Sequence, residues 1–219
     1  LTLPDAADLV RTMFAYDVIG FHTDEWRQSF VDFVTIECGG TFDGDILRAE
    51  DREIRLITCP IGIDSKEFST LATSESARKS FELMRRSADG RAMIVGVDRL
   101  DYSKGLEERF LGYERFLRES PEERKAVFLL QIAPPSRETV ESYQRIRSSL
   151  EGLSGRINGE HADLDWVPIR YVNQGYPRDV LAGVYRAARI GLVTPLRDAL
   201  NLVAKEYVAA QDPEDPGVL

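Results

Sequence analysis

The sequence predicts an α/β protein whose parallel strands carry helices on both faces. Three observations lead there. Short apolar runs recur along the chain: DVIGF (17–21), AMIVGV (92–97), VFLLQIA (127–133), VPIRYV (167–172) and IGLVT (190–194). Each is followed by a polar loop and then by a stretch with apolar residues at helical spacing. The runs are apolar almost throughout rather than alternating, which is how a strand reads when both its faces are covered.

The elements follow in order. DVIGF is a buried strand, and Thr23 caps the next helix, with Asp24 and Glu25 in its first turn. Trp26, Phe30 and Phe33 then share one helix face. EIRLITCPIGID (53–64) is a strand running into a Pro/Gly turn. Residues 64–90 are helical in the middle, with Phe81 and Met84 on one face, and end at Asp89-Gly90. AMIVGV opens a second series, followed by the loop 98–105 and a helix with Leu106, Phe110, Tyr113 and Leu117 on one stripe. VFLLQIA leads to PPSR (134–137) and a helix bearing Val140, Tyr143, Ile146 and Leu150. VPIRYV leads to NQGYP (173–177) and a helix over 178–188. IGLVT leads to PLRDALN (195–201) and a helix over about 202–210. A domain break is expected in the polar stretch near 64–75, with residues 1–70 closing one α/β domain and 71–219 forming most of a second.

With 219 residues, 43% hydrophobic and 30% charged, the chain can bury a real core in one or two domains. That excludes a disordered tail and a disulfide-stapled module. With 28 basic against 37 acidic residues the net charge is -9. General nucleic-acid binding is excluded, because phosphate backbones demand a basic surface. Any anion the protein binds must be held by a few locally placed cations. Cys38 and Cys59 form no CxxC, and with only His22 and His161 beside them no zinc cluster is expected. Two cysteines point to a reducing, cytosolic compartment. No apolar run reaches the roughly 18 residues of a spanning helix, and the first residues do not read as a signal peptide. The first residue is not Met, and Val218-Leu219 after a Pro-Gly turn read as the start of a strand. The chain is therefore expected to be a piece of a longer protein.

Ligands of an open parallel sheet bind beyond the carboxyl ends of its strands, so the loops there are the candidates. In 98–105, Arg99 and Lys104 flank a turn beside a helix start, where they suit a diphosphate. Equally, they can pair with Asp98 and Asp101 as a surface network. Neither GxGxxG nor GxxxxGK[ST] is present. In 194–206, Asp198 and Asn201 precede a helix with free backbone N–H groups. Glu206, one turn in, can reach a ribose diol or be an ordinary surface charge. Arg137 can hold an anionic substrate or pair with Glu138 or Glu141. Tyr176 can pack on a base, although filling a core gap is the better default. His22 reads as structural, and Trp26 and Trp166 as packing.

GVDRLDYSKGLEERFLGYERFL (96–117), QIAPPSRETVESY (131–143), GRINGEHADLDWVPIRYVNQ (155–174) and GLVTPLRDALNLVAKEYVAAQDPEDPGVL (191–219) together resemble the trehalose-6-phosphate synthase family, as does DVIGFHTDEWRQSFVDF near the start. The likeness covers nearly the whole chain. It implies a retaining glycosyltransferase of GT-B type, with two Rossmann-like domains, moving glucose from UDP-glucose to glucose 6-phosphate to give trehalose 6-phosphate and UDP. It implies no metal or other cofactor. By motif match Arg99 and Lys104 would hold the donor diphosphate and Asp198 the donor glucose hydroxyls. Asn201, Leu202 and Val203 would contribute at the helix start, Glu206 would bind the ribose and Tyr176 would lie by the uracil. Arg137 would meet the acceptor phosphate. Arg99, Lys104 and Asp198 are thus the expected catalytic set. The expected partners are the two small-molecule substrates, with no nucleic acid and no membrane, and a homo-oligomer is left open.

Two departures stand out. The family's last loop usually reads Asp-Gly-Met-Asn, whereas this chain reads Asp198-Ala199-Leu200-Asn201. An alanine adds a methyl where backbone approaches sugar. The family enzymes are also about twice this long and place much of the acceptor site in residues this chain lacks. A sister synthase with another acceptor, such as glucosylglycerol-phosphate synthase, shares the donor motifs. A non-catalytic nucleotide-sugar-binding module is the reading from a different class.

Overall fold

A computed structural model describes residues 3–136, 141–198 and 200–219. The chain divides into two compact units, Leu1–Gly62 and Ile63–Leu219.

The first unit contains α1 (Ala6–Met13), β1 (Val18–Phe21), α2 (Asp24–Glu37), β2 (Thr41–Asp43), β3 (Ile46–Ala49) and β4 (Arg52–Thr58). Its sheet runs β1-β4-β3-β2, and only β1 and β4 are parallel. The hairpins that make β3 antiparallel to both neighbours are a correction to the all-parallel expectation. Their signal was present as Gly44-Asp45, the two-residue loop between the paired Asp43 and Ile46, with Gly44 at φ +63°. Thr23 caps α2 as expected, its Oγ1 accepting from the Trp26 N–H at 3.2 Å. The buried face of α2 is Phe30, Val31 and Val34. Trp26 is exposed instead of packed, its ring beside the exposed His22.

The second unit contains α3 (Ser65–Leu71), α4 (Glu75–Ala88), β5 (Ala92–Val97), α5 (Leu106–Glu119), β6 (Val127–Ile132), α6 (Glu141–His161), β7 (Ile169–Val172), α7 (Arg178–Ala187), β8 (Ile190–Gly191) and α8 (Leu202–Ala210). Phe68 of α3 is buried in this unit's core, so residues 63–70 pack with the second unit rather than with the first. The sheet order is β7-β6-β5-β8, parallel throughout. Along β5 the side chains alternate between two cores. Met93, Val95 and Val97 pack with α3, α4, α7 and α8, while Ile94 packs with α5 and α6. Burial on both faces is why the strands are apolar without interruption. The α5 stripe of Leu106, Phe110, Tyr113 and Leu117 is buried as expected. On α4 the buried positions are the small residues Ala77, Ser80 and Ala88, and Ser80 Oγ donates to Val180 O of α7 at 2.9 Å. Phe81 is only half-buried and carries Arg85 over its ring. Trp166 is packed as expected, its Nε1 donating to Val127 O at 2.8 Å.

Connections from β5 run to β6 and β7 on one side, and β8 lies on the other. The strand order reverses at β5, and the loops leaving β5 and β8 flank the crevice this creates.

Candidate active site

The loop after β5 is pinned at several points. Asp98 N–H donates to Ile132 O at 3.1 Å and Leu100 N–H to Pro134 O at 3.0 Å. Asp101 then caps a single 3-10 turn, Tyr102–Lys104. Its Oδ1 accepts from the Ser103 N–H and hydroxyl at 3.0 and 2.9 Å, and Oδ2 accepts from the Tyr143 hydroxyl at 3.2 Å. Burial pushes the Asp101 carboxyl up, but these hydrogen bonds outweigh it and hold the carboxyl below its ordinary value. The turn ends on Gly105 at φ +62°, where a Cβ would lie 2.7 Å from Thr194 O. Only glycine meets both demands.

Thr194 belongs to the loop after β8. Further along that loop the Leu196 and Arg197 N–H groups both donate to Ser103 O, at 2.9 and 3.3 Å. The two loops are thereby stitched together, and their charged residues meet. Lys104 Nζ donates to Asp198 Oδ2 at 2.5 Å, with the two side chains 15% and 18% exposed. Asn201 Nδ2 donates to the same oxygen at 3.3 Å. Asn201 Oδ1 accepts from the Ala204 N–H at 3.2 Å and so caps α8. Among the described residues, the N–H groups of Leu202 and Val203 find no acceptor, which leaves two donors and the positive end of a helix at the crevice.

Glu206 lies one turn along α8. Its side chain is only 17% exposed, and Arg178 Nε stands 3.8 Å away. Burial pushes the carboxyl above its ordinary value, opposed by Arg178. Glu206 is therefore no free surface charge. Arg99 is exposed and makes no hydrogen bond or ion pair among the described residues. Tyr176 is 37% exposed in the loop after β7 and does not fill a core gap. Arg137 and Ala199 lie outside the described residues.

The expected surface network of Arg99 and Lys104 with Asp98 and Asp101 makes no salt bridge among the described residues; Arg99 acts on Asp101 and Lys104 on Asp98 by electrostatics alone. Lys104 pairs across the crevice with Asp198. Asp98 is buried, with its side chain 2% exposed, and bonds instead to Arg109 Nη1 at 2.6 Å. Arg109 also donates to Gln131 Oε1 at 2.8 Å and, through Nε, to Thr194 Oγ1 at 3.0 Å. Sequence reasoning missed it. Its signal was an arginine three residues after Leu106, on the apolar stripe of α5, where a cation needs a buried partner.

Among the described residues one group could place metal-ligating atoms together: Glu114, Glu160 and His161, on α5 and at the end of α6. The Glu114 carboxylate is already held by Arg156 at 2.6 and 2.9 Å, and none of the three belongs to the crevice loops. A cavity of about 530 Å³ among Arg85, Arg91, Arg186, Arg189, Asp212 and Asp215 lies by the amino ends of β5 and β8, away from the crevice. No helix among the described residues is long and apolar enough to cross a membrane.

Comparison with known proteins meets this geometry. A trehalose-6-phosphate synthase of Sinorhizobium fredii is 44% identical over 219 residues, covering 100% of this chain and 47% of that protein. A Burkholderia xenovorans α,α-trehalose-phosphate synthase (UDP-forming), solved in complex with glucose-6-phosphate, superimposes with TM-score 0.93 at 48% identity. That match covers 97% of this chain and 47% of the other. An Escherichia coli structure bound with UDP-2-fluoro glucose superimposes with TM-score 0.94 at 42% identity, covering 100% of this chain and 48% of the other. The α/β fold expected from the sequence is thus the fold of these proteins. The chain spans about half the length of the curated relatives it matches. The sequence model of glycosyltransferase family 20 matches residues 1–219, and with these identities behind it the chain belongs to that family.

Proposed function

We propose that the full-length protein transfers glucose from UDP-glucose to glucose 6-phosphate, giving trehalose 6-phosphate and UDP with retention at the anomeric carbon. The observation that carries this is the meeting of Lys104 with Asp198 across the crevice, beside the open amino end of α8. Negative charge grows on the diphosphate as the C1–O bond breaks. Cations and N–H dipoles that are already fixed stabilise that charge without having to reorganise. Arg99 and Lys104 take the diphosphate, with the Leu202 and Val203 N–H groups completing its shell. Asp198, once released from Lys104, accepts from the glucose hydroxyls. Glu206 accepts from the ribose diol, and the exposed Tyr176 ring offers a face to the uracil. Arg137 is assigned to the acceptor phosphate. The acceptor hydroxyl attacks from the face the diphosphate leaves, and its proton passes to a departing phosphate oxygen.

The reaction is read as needing no metal, the cations of the chain standing where a divalent ion would. The relatives solved with glucose-6-phosphate and with a fluorinated UDP-glucose support the choice of substrates. Free Cys38 and Cys59 support a cytosolic setting. The test supplies UDP-glucose with glucose 6-phosphate or glycerol 3-phosphate and follows UDP release and product. Trehalose 6-phosphate formed only with the first acceptor is expected. Product only with glycerol 3-phosphate would assign a sister synthase, and UDP binding without any product would assign a binding module.

A further inference from the structure

Arg109 carries no role in the reading above, yet it occupies the most constrained position in the second unit. Its side chain is 0% exposed. It donates to Asp98, just past the end of β5, to Gln131 of β6, and to Thr194, in the loop after β8. The guanidinium lies across β5 at Gly96. A Cβ there would be 2.6 Å from Arg109 Nη1 and 2.4 Å from Gln131 Oε1, so position 96 must be left without a side chain for the arginine to cross.

Stability alone does not account for this arrangement. Apolar residues of similar volume commonly replace a buried ion pair without loss. Nη2 is moreover buried with no hydrogen-bond partner among the described residues, a cost the fold bears. What the guanidinium does is connect. Asp98, held by Arg109, lies within electrostatic reach of Lys104 and beside the Asn201 amide. Thr194, held from the other side, supplies the carbonyl that faces Gly105. Arg109 thus grips both loops that bring Lys104 and Asp198 together, one at the start of each.

We infer that Arg109 is a positioning residue: through Asp98 and Thr194 it sets the separation of the β5 and β8 loops, and with it the placing of Lys104 and Asp198 on the donor. The inference rests on the proposed glucosyl transfer for its kinetic consequence but not for its structural one. A guanidinium forked between two loops fixes both distance and angle, which a lysine at the same place does not. Displacement of a reacting group by about 1 Å costs on the order of a hundredfold in rate.

The experiment uses the full-length protein with Arg109→Met, Arg109→Lys and Thr194→Val. UDP release with both substrates varied is expected to show kcat down by about thirty- to a hundredfold in Arg109→Met, with each KM within about threefold. Arg109→Lys recovers part of that loss. Combined with Lys104→Ala, Arg109→Met adds little to the larger single effect, because both act on one unit. A kcat within about threefold of wild type, or losses that multiply in the double variant, overturns the inference. Should Arg109→Met fail to fold, Thr194→Val carries the same test, since it removes one acceptor and leaves the Asp98 pair in place. Hydrogen exchange separates this claim from the proposed function. The Leu196 amide, which is bonded to Ser103 O, is expected to exchange faster in Thr194→Val and Arg109→Lys, while Leu129 and Leu130 of β6 keep their protection. Inert wild-type protein would sink the proposed activity, and unchanged Leu196 exchange would sink the positioning role.

Discussion

Lys104 and Asp198 are 94 positions apart in sequence, and their side chains meet at 2.5 Å, largely shielded from solvent. Because Lys104 is paired with Asp198, a diphosphate binding at Lys104 has to compete with that carboxylate for it. Replacing Asp198 by Asn keeps the shape and removes the competing charge. Calorimetry with UDP is expected to show Asp198→Asn binding about three- to tenfold more tightly, while turnover of UDP-glucose falls at least about tenfold. Lys104→Ala is expected to lower both by about tenfold or more. If Asp198→Asn leaves UDP affinity unchanged, the pair does not gate the diphosphate.

Among the described residues Arg99, unlike Lys104, has no ion pair to give up. An exposed cation whose pull on a neighbouring carboxylate, here Asp101, is screened by solvent contributes little to stability. Arg99→Ala is therefore expected to leave the melting temperature unmoved while weakening UDP binding and turnover by about tenfold. The loss should shrink as salt rises, since an exposed charge is screened over about 8–10 Å near physiological ionic strength. A fall in melting temperature without a binding defect would return Arg99 to the surface.

How far the sequence carries can be judged residue by residue. The second unit was readable because strands covered on both faces are apolar without gaps and because α5 has an unbroken stripe from Leu106 to Leu117. The first unit misled because β2 and β3 are three and four residues long, too short for periodicity to register beside the Gly44-Asp45 turn. At the site, residue types near strand ends picked out two loops that the structure brings together, those after β5 and β8. The partners did not follow, because pairing across the crevice is a tertiary fact. Asp98 sits one residue from Arg99, yet it turns inward to Arg109, whose helical position places it beneath the strand. Tyr176 and Trp26 show the opposite failure, with large aromatic rings left in solvent where packing was the better guess.

Glu206 provides a pH test. Burial raises its folded-state carboxyl above the ordinary value of 4.5. The folded chain therefore binds that proton more tightly than the unfolded chain does. The stabilisation is fully present below about pH 4.5 and is lost as pH rises through the folded value. At pH 8 the ionised carboxylate is a burden on the fold, a cost that the proposed contact with the ribose would explain. Glu206→Gln is expected to melt a few degrees above wild type at pH 8, with the gap closing toward pH 4, and to bind UDP more weakly at pH 8, where the wild-type side chain is ionised. Scanning calorimetry across that range checks the first part and titration with UDP the second. A gap that does not widen with pH would deny the carboxylate its cost.

Gly105 and Gly112 separate the demands of the site from those of the helix. Gly105 has φ +62°, and a Cβ there would meet Thr194 O at 2.7 Å, a backbone atom that cannot swing aside. Gly112 lies inside α5, and a Cβ there would meet nothing within 4 Å. Alanine at 105 must carry left-handed strain of about 1–3 kcal/mol and must also push the β8 loop away from the turn that holds Lys104. Alanine at 112 gains about 1 kcal/mol of helix propensity. Gly105→Ala is therefore expected to melt lower and to lose turnover at least about a hundredfold, the larger effect being kinetic because the Lys104–Asp198 spacing is what shifts. Gly112→Ala is expected to melt slightly higher with turnover intact. Thermal melts and UDP-release rates on the two variants decide it. Equal turnover in both would mean that the close approach of the two loops at Gly105 is a feature of the fold alone, with no bearing on how the crevice handles its substrate.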